Sequence, residues 1–219
     1  MNLEQLKKYL GATRRLWHQH PLYLTRSDAV FNVRGLGEEL FELFVLKNLE
    51  CGSPYLLQVG ANKGNAKHDL IDLIKRYELP GLLLEPQPDV FEVLRRNYSD
   101  MSSIKVANIP LSAQNEKRQI YRSSKSASVY HRDSARFGDG IASFSEDHLW
   151  KYFQKRATEE GKLQPRREVR EAIPVQCRTV NEIVSPYRVR AIDILMVDTE
   201  GFDFEILQDG EYRHVLSLN

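Results

Sequence analysis

The chain has 219 residues, 42% hydrophobic, 28% charged and 10% aromatic; this is ordinary for one globular domain with a sizeable core, or a core plus a small appendage. Its 31 basic and 30 acidic residues leave a formal net charge of +1, so no global field draws it to nucleic acid or to an anionic membrane, and neither is expected as a partner. No apolar run approaches the ~18 residues of a bilayer span. The N-terminal MNLEQLKK lacks the apolar core of a signal peptide, and Cys51 and Cys177 are too few for a disulfide framework. A cytoplasmic protein with two reduced thiols is the expectation.

Residues 1–50 read as helical, with Leu36, Leu40, Leu43, Phe44 and Leu49 at helical spacing, interrupted by Pro21 and by Gly35 and Gly37. They are expected to form an N-terminal helical cap on a domain over residues 51–219. From Tyr55 the period changes. Tyr55–Val59 is a short apolar run, and residues 65–78 place Leu70, Ile71, Ile74 and Tyr77 on one helical face. Gly81–Leu84 is a second apolar run. Pro88 opens a helix to Tyr98 with Val90, Phe91 and Leu94 inward, proline being favoured in a first turn. Ile104–Val106 starts a third strand. This alternation predicts an α/β fold, a mostly parallel open sheet with helices on both faces.

The alternation breaks between Ser112 and Pro174. Gln119–Tyr121 is a candidate extra strand, Ser123–Phe144 a long polar loop, and Ser145 the N-cap of a helix over residues 146–160 that Gly161 stops. The basic run around Arg166, Arg167 and Arg170 is either a solvated connector or an anion clamp. The sheet pattern resumes at Ile173–Cys177, and Thr179 with Glu182 forms a capping box. Ile194–Val197 is fully apolar, as a central parallel strand should be. An amphipathic helix with Phe204, Ile206 and Leu207 follows.

Open parallel sheets bind ligands at the carboxyl ends of their strands. Three such ends are polar here: Gly60–Gly64, Glu85 and Asp198–Gly201. Gly60 and Gly64 let backbone approach a ligand or adopt positive φ, or they make a turn that holds nothing. Their G-x-x-x-G spacing is not the dinucleotide fingerprint G-x-G-x-x-G. Glu85 lies 21 positions beyond Gly64, at the end of an apolar strand; a carboxylate there can accept both hydroxyls of a ribose, or cap the following helix. Together they describe a nucleoside site without a pyrophosphate requirement, which S-adenosylmethionine fits.

Four stretches, QVGANKG, LLLEPQPDVFEVLRRNY, PVQCRTVNEI and ILMVDTEGFDFEIL, give the chain a form that resembles the FkbM family of S-adenosylmethionine-dependent methyltransferases over about residues 55–209. The resemblance implies a Rossmann-like class I methyltransferase fold and, commonly, O-methylation of hydroxyls on sugars or secondary metabolites, so a small hydroxylated acceptor is the expected partner. Gly60, Ala61, Asn62 and Gly64 match the family's cofactor loop, Glu85 with Pro86 its ribose-binding turn, and Asp198 and Glu200 the segment beside the transferred methyl. Gln58 stands where aspartate is common; it can still hydrogen-bond the methionine moiety, without the charge. The chain ends about one helix after Asp198, so the family's later strands are expected to be missing.

Asp198 is the first candidate base for a hydroxyl acceptor and Glu200 the second, with His131 and His148 as lesser candidates. Asp198 could equally be a helix N-cap. Asp203 and Glu205 suit the first turn of a helix better than a metal site, and no metal is expected. In the 123–144 segment, Arg132 and Arg136 could hold an anionic acceptor while Tyr130 and Phe137 stack on a ring, or the segment is a plain surface loop. A non-catalytic or truncated nucleoside-binding scaffold and a nicotinamide-dependent oxidoreductase are the competing readings.

Overall fold

The computed structural model describes residues 54–64, 74–123, 142–151, 154 and 170–208. The expected N-terminal cap, Leu70 and Ile71 of the first helix, and Tyr130, His131, Arg132, Arg136 and Phe137 lie outside these residues.

Four short strands form a parallel sheet in the order β3-β2-β1-β7: β1 (Leu56–Val59), β2 (Gly81–Leu84), β3 (Ile104–Ala107) and β7 (Ile194–Val197). The most apolar run, Gly81-Leu82-Leu83-Leu84, is buried throughout because β2 has a strand on each side. β3 is an edge and carries the exposed Lys105. β7, expected in the centre, is the other end strand of this sheet among the described residues, and Leu195, Met196 and Val197 are accordingly only half-buried.

Strand alternation sorts the core into two layers. Leu57, Val59, Leu82, Leu84 and Ala107 pack with Val180, Ile183 and Val184 of α2 (Val180–Val184) and with Phe202 and Ile206 at α3 (Asp203–Gln208). Leu56, Leu83, Ile104 and Ile194 face the other way, onto Ile74 of the helical residues 74–77 and onto Leu94 and Tyr98 at α1 (Pro88–Asn97). Helices therefore cover both faces of the parallel sheet. Pro88 occupies the first turn of α1, as expected. In α3 Ile206 is buried, while Phe204 is 68% and Leu207 45% exposed.

One expectation fails. Arg170–Gln176 does not extend the parallel sheet. It forms β6, which pairs antiparallel with β4 (Lys117–Ser123) in a separate three-stranded sheet of order β5-β4-β6, where β5 is Ala142–Ser143. Pro174 is the physical reason: it has no N–H to give a ladder, so the strand belongs at an edge, where the structure has it. Arg122 ties this second sheet to α1 by pairing with Asp89 at 2.5 Å and with Glu171 at 3.1 Å. The Arg118 guanidinium packs on the edge-to-face pair of Phe144 and Phe202, whose centroids are 4.8 Å apart, at 4.7 and 4.5 Å from each.

The predicted caps are present. Ser145 Oγ accepts from the N–H of His148 at the start of the helical residues 146–151. Thr179 Oγ1 accepts from the N–H of Glu182, but the reciprocal half of the capping box goes to another residue: Asn115 Oδ1 accepts from Thr179 N, and Asn115 Nδ2 donates to Glu182.

Candidate functional site

The chain leaves β1 for β2 and β3 on one side and returns as β7 on the other, so the β1–β7 boundary is the switch point of strand order, where open sheets bind ligands. An open cleft lies there, with about 660 Å³ of empty space counted together with its solvent-filled mouth. Gly60, Asn62, Glu85, Pro86, Asp198 and Glu200 all line it. The three polar strand ends picked out in the sequence thus meet in one place.

The glycine turn owes its composition to packing inside the protein. Gly60 has φ +80°, and a Cβ on it would stand 2.0 Å from the carbonyl oxygen of Asp198; a Cβ on Gly64, at φ +62°, would stand 2.4 Å from the Tyr98 ring. Gly60 therefore lets the ends of β1 and β7 touch, and Gly64 lets the turn lie on α1. Neither residue is glycine because of a ligand alone. Ala61 is buried at 5% exposure, and neither it nor Gly64 lines the cleft. Asn62 takes a left-handed backbone, φ 51°, so that its N–H points across to β2.

That N–H donates to Glu85 Oε2 at 2.8 Å, and the N–H of Gln87 donates to Oε1 at 2.9 Å. Glu85 is 3% exposed. Burial pushes its carboxyl up to about 7, against the opposing pull of the hydrogen bonds from Gln87 and Asn62. Each carboxylate oxygen has a second lone-pair site. A group built this way holds the glycine turn against the end of β2 and still has acceptor capacity for a diol at the cleft.

On the β7 side, Asp198 lines the cleft as an exposed residue whose N–H donates to Val59 O. Asp203 Oδ1 accepts from both the N–H and the hydroxyl of Thr199, at 2.7 and 2.8 Å. The acid that closes this turn is thus Asp203. Glu200 has a left-handed φ of 50°, a strained choice for a glutamate. It is held by Ser143 Oγ, which donates to its carbonyl at 2.7 Å, and its carboxylate lies 3.7 Å from His148 Nε2. Gly201 fits beneath the same imidazole, where a Cβ would stand 2.7 Å from Nδ1. Among the described residues no group of three His, Cys, Asp or Glu side chains could hold a metal ion.

Gln58 lies apart from this set. It shares a face with Leu56, pairs laterally with Leu83 and Met196, and does not line the cleft. The cleft also recruits residues that sequence reasoning missed. Gln87, Ile109, Pro110 and Leu111 follow the ends of β2 and β3, so the strand-end rule could have found them. Ile120 comes in with the docked second sheet, together with Ser143 and Phe144 from the end of the 123–144 segment that the sequence offered as acceptor-facing.

A family model for the methyltransferase FkbM domain matches residues 58–214. The chain belongs to the FkbM methyltransferase family. No curated protein and no solved structure matches it. The matched span of this FkbM methyltransferase runs from Gln58 past Asp198 and Glu200, and so takes in every residue of the cleft. No helix among its described residues is long and apolar enough to cross a membrane.

Proposed function

We propose that this FkbM methyltransferase uses S-adenosylmethionine to methylate a hydroxyl group on a sugar or other small metabolite. The observation that carries this reading is the buried Glu85 carboxylate, held by two backbone N–H groups at the switch point with acceptor sites to spare. That is the chemistry a ribose diol needs. Pro86, Ile109 and Leu111 offer an apolar wall beside it, and the turn at Gly60–Asn62 faces the same space.

The sulfonium supplies an electrophilic methyl group, and the protein's task is to hold an acceptor oxygen in line with it. Asp198, exposed at the strand end across the cleft from Glu85, is the residue to accept the hydroxyl proton. Glu200 is the second carboxylate in reach of the cleft, and the left-handed turn held by Ser143 aims it. Residues 142–144 border the acceptor side, which makes the adjoining 124–141 segment the proposed source of acceptor specificity. The balanced charge of the chain favours a small-molecule acceptor over nucleic acid or a membrane surface, and a cytoplasmic location goes with this reading.

Two measurements test the reading. Calorimetric titration with S-adenosylhomocysteine should give saturable binding, and no heat from folded protein would refute it. Transfer of an isotopically labelled methyl group to a panel of hydroxylated compounds should identify an acceptor; with that acceptor Asp198→Asn should lower kcat by about 10²–10⁴-fold and leave cofactor affinity within about threefold, since this reading assigns the side chain to the acceptor's proton.

A further inference from the structure

Residues 198–202 join β7 to α3 through two consecutive left-handed positions, Glu200 at φ 50° and Gly201 at φ 97°. At a glutamate that conformation is strained, and a strained turn persists only where its surroundings over-determine it. One tie is the bond from Ser143 Oγ to the Glu200 carbonyl. The other comes from Asp203, the first residue of α3. An acid serving the helix alone would meet the N–H groups of its own first turn. This one reaches back four residues, and its Oδ1 accepts from the N–H of Thr199 at 2.7 Å and from the hydroxyl at 2.8 Å. Thr199 stands between Asp198 and Glu200, and all three line the cleft, whereas Asp203 lies outside the lining.

The Thr199 N–H belongs to the peptide that joins Thr199 to Asp198. At the other end of that peptide the Asp198 carbonyl lies against Gly60, where a Cβ would stand 2.0 Å from it. The peptide is therefore fixed at both ends, by Asp203 and by Gly60. On its other flank Asp198 is fixed by its own N–H, which donates to Val59 O. Resting on the reading in which Asp198 takes the proton of the acceptor hydroxyl, we infer that Asp203 is a positioning residue for methyl transfer. It holds the peptide after Asp198 through Thr199 and so aims the Asp198 carboxylate, without itself touching the acceptor. Precision of this kind matters, because a misplacement of about 1 Å can slow a reaction about 10²-fold.

The test separates the acceptor atom of Asp203 from its charge, using the full chain and the hydroxylated acceptor found by labelled methyl transfer. Asp203→Ala removes both and should lower kcat by about 10²-fold, with affinity for S-adenosylhomocysteine kept within about threefold; Asp203→Ser, one atom shorter than the native side chain, serves if the alanine variant does not fold. Asp203→Asn keeps a carbonyl oxygen for the two Thr199 donors and should recover kcat to within about fivefold of wild type. An asparagine variant as slow as the alanine variant would overturn the inference, since the charge and not the bond to Thr199 would then matter. So would an alanine variant that keeps full kcat, or one that loses cofactor affinity in proportion to kcat and so shows a general collapse of the cleft. Amide hydrogen exchange reads the same contact without substrate. In Asp203→Ala the Thr199 N–H should exchange about tenfold faster or more, while the Asp198 N–H on Val59 O stays within about threefold; equal acceleration of the two would overturn the inference. Wild-type protein that binds S-adenosylhomocysteine but transfers no methyl group to any hydroxylated compound would instead refute the proposed reaction, and the inference with it.

Discussion

Glu85 is the residue whose chemistry the fold has altered most, and replacing it by glutamine separates its charge from its shape. In the folded protein its carboxyl titrates at about 7, against an ordinary value of 4.5. Between those values the folded state keeps a proton that the unfolded chain has released, so stability must fall as pH rises. The contribution is fully present below about pH 4.5 and is lost as pH passes through about 7. At ~1.4 kcal/mol per unit, the displacement from 4.5 to about 7 corresponds to about 3 kcal/mol. Most of that, about 2–3 kcal/mol, falls between about pH 5 and about pH 8. Glu85→Gln removes the titration, but it also sets an NH₂ group against the N–H of Asn62 or of Gln87, at a cost of ~1–3 kcal/mol. Absolute stability is therefore a poor readout, and the pH dependence a good one. Urea unfolding of both proteins at the two pH values should show wild type gaining about 2–3 kcal/mol over the variant at the lower pH. A difference between the proteins that is the same at both pH values, within about 0.5 kcal/mol, would refute the reasoning. It would mean that Glu85 ionises like an ordinary surface acid.

The same ionisation should govern cofactor affinity. A diol needs the carboxylate, so Kd for S-adenosylhomocysteine should rise toward about tenfold per unit as pH falls below about 7, and a flat profile down to about pH 5 would contradict this. Gly60→Ala places a methyl group 2.0 Å from the Asp198 carbonyl at φ +80°; overpacking plus backbone strain should destabilise by about 2–4 kcal/mol in chemical denaturation. Arg118→Ala removes the cation packed on the Phe144–Phe202 pair and should cost about 1–2 kcal/mol. Arg118→Lys should recover only part of this, because an ammonium lacks the planar face with which a guanidinium packs on a ring.

The parallel sheet was legible because its signals are local. Leu56–Val59, Gly81–Leu84 and Ile194–Val197 are apolar runs bounded by polar turns, and the strand boundaries fall within a residue of the sequence reading. Pro88, Ser145 and Thr179 were equally readable, since a cap acts within one turn of its own helix. The strand read at Ile173–Cys177 was assigned to the wrong sheet because its hydrophobicity was weighed without Pro174, the residue that suits it to an edge. β7 has no neighbour on its far side among the described residues, while its four apolar residues suit a strand flanked on both sides.

For the cleft, sequence alone determined its chemical types: a glycine turn, a carboxylate after β2 and an acidic turn after β7, each at the carboxyl end of a strand. The fold rule for parallel sheets then required that they converge. Tertiary structure decided why each residue is needed. Gly60 is glycine because the Asp198 carbonyl presses on it from another strand, and Glu85 is displaced from its ordinary pKa because the chain around it excludes water. Ser143, Phe144 and Ile120 belong to the cleft only because a second sheet docks beside the first. Strand and turn chemistry depends on neighbours a few residues away, whereas close approach, desolvation and docking depend on residues distant in the chain, which a one-dimensional pattern does not encode.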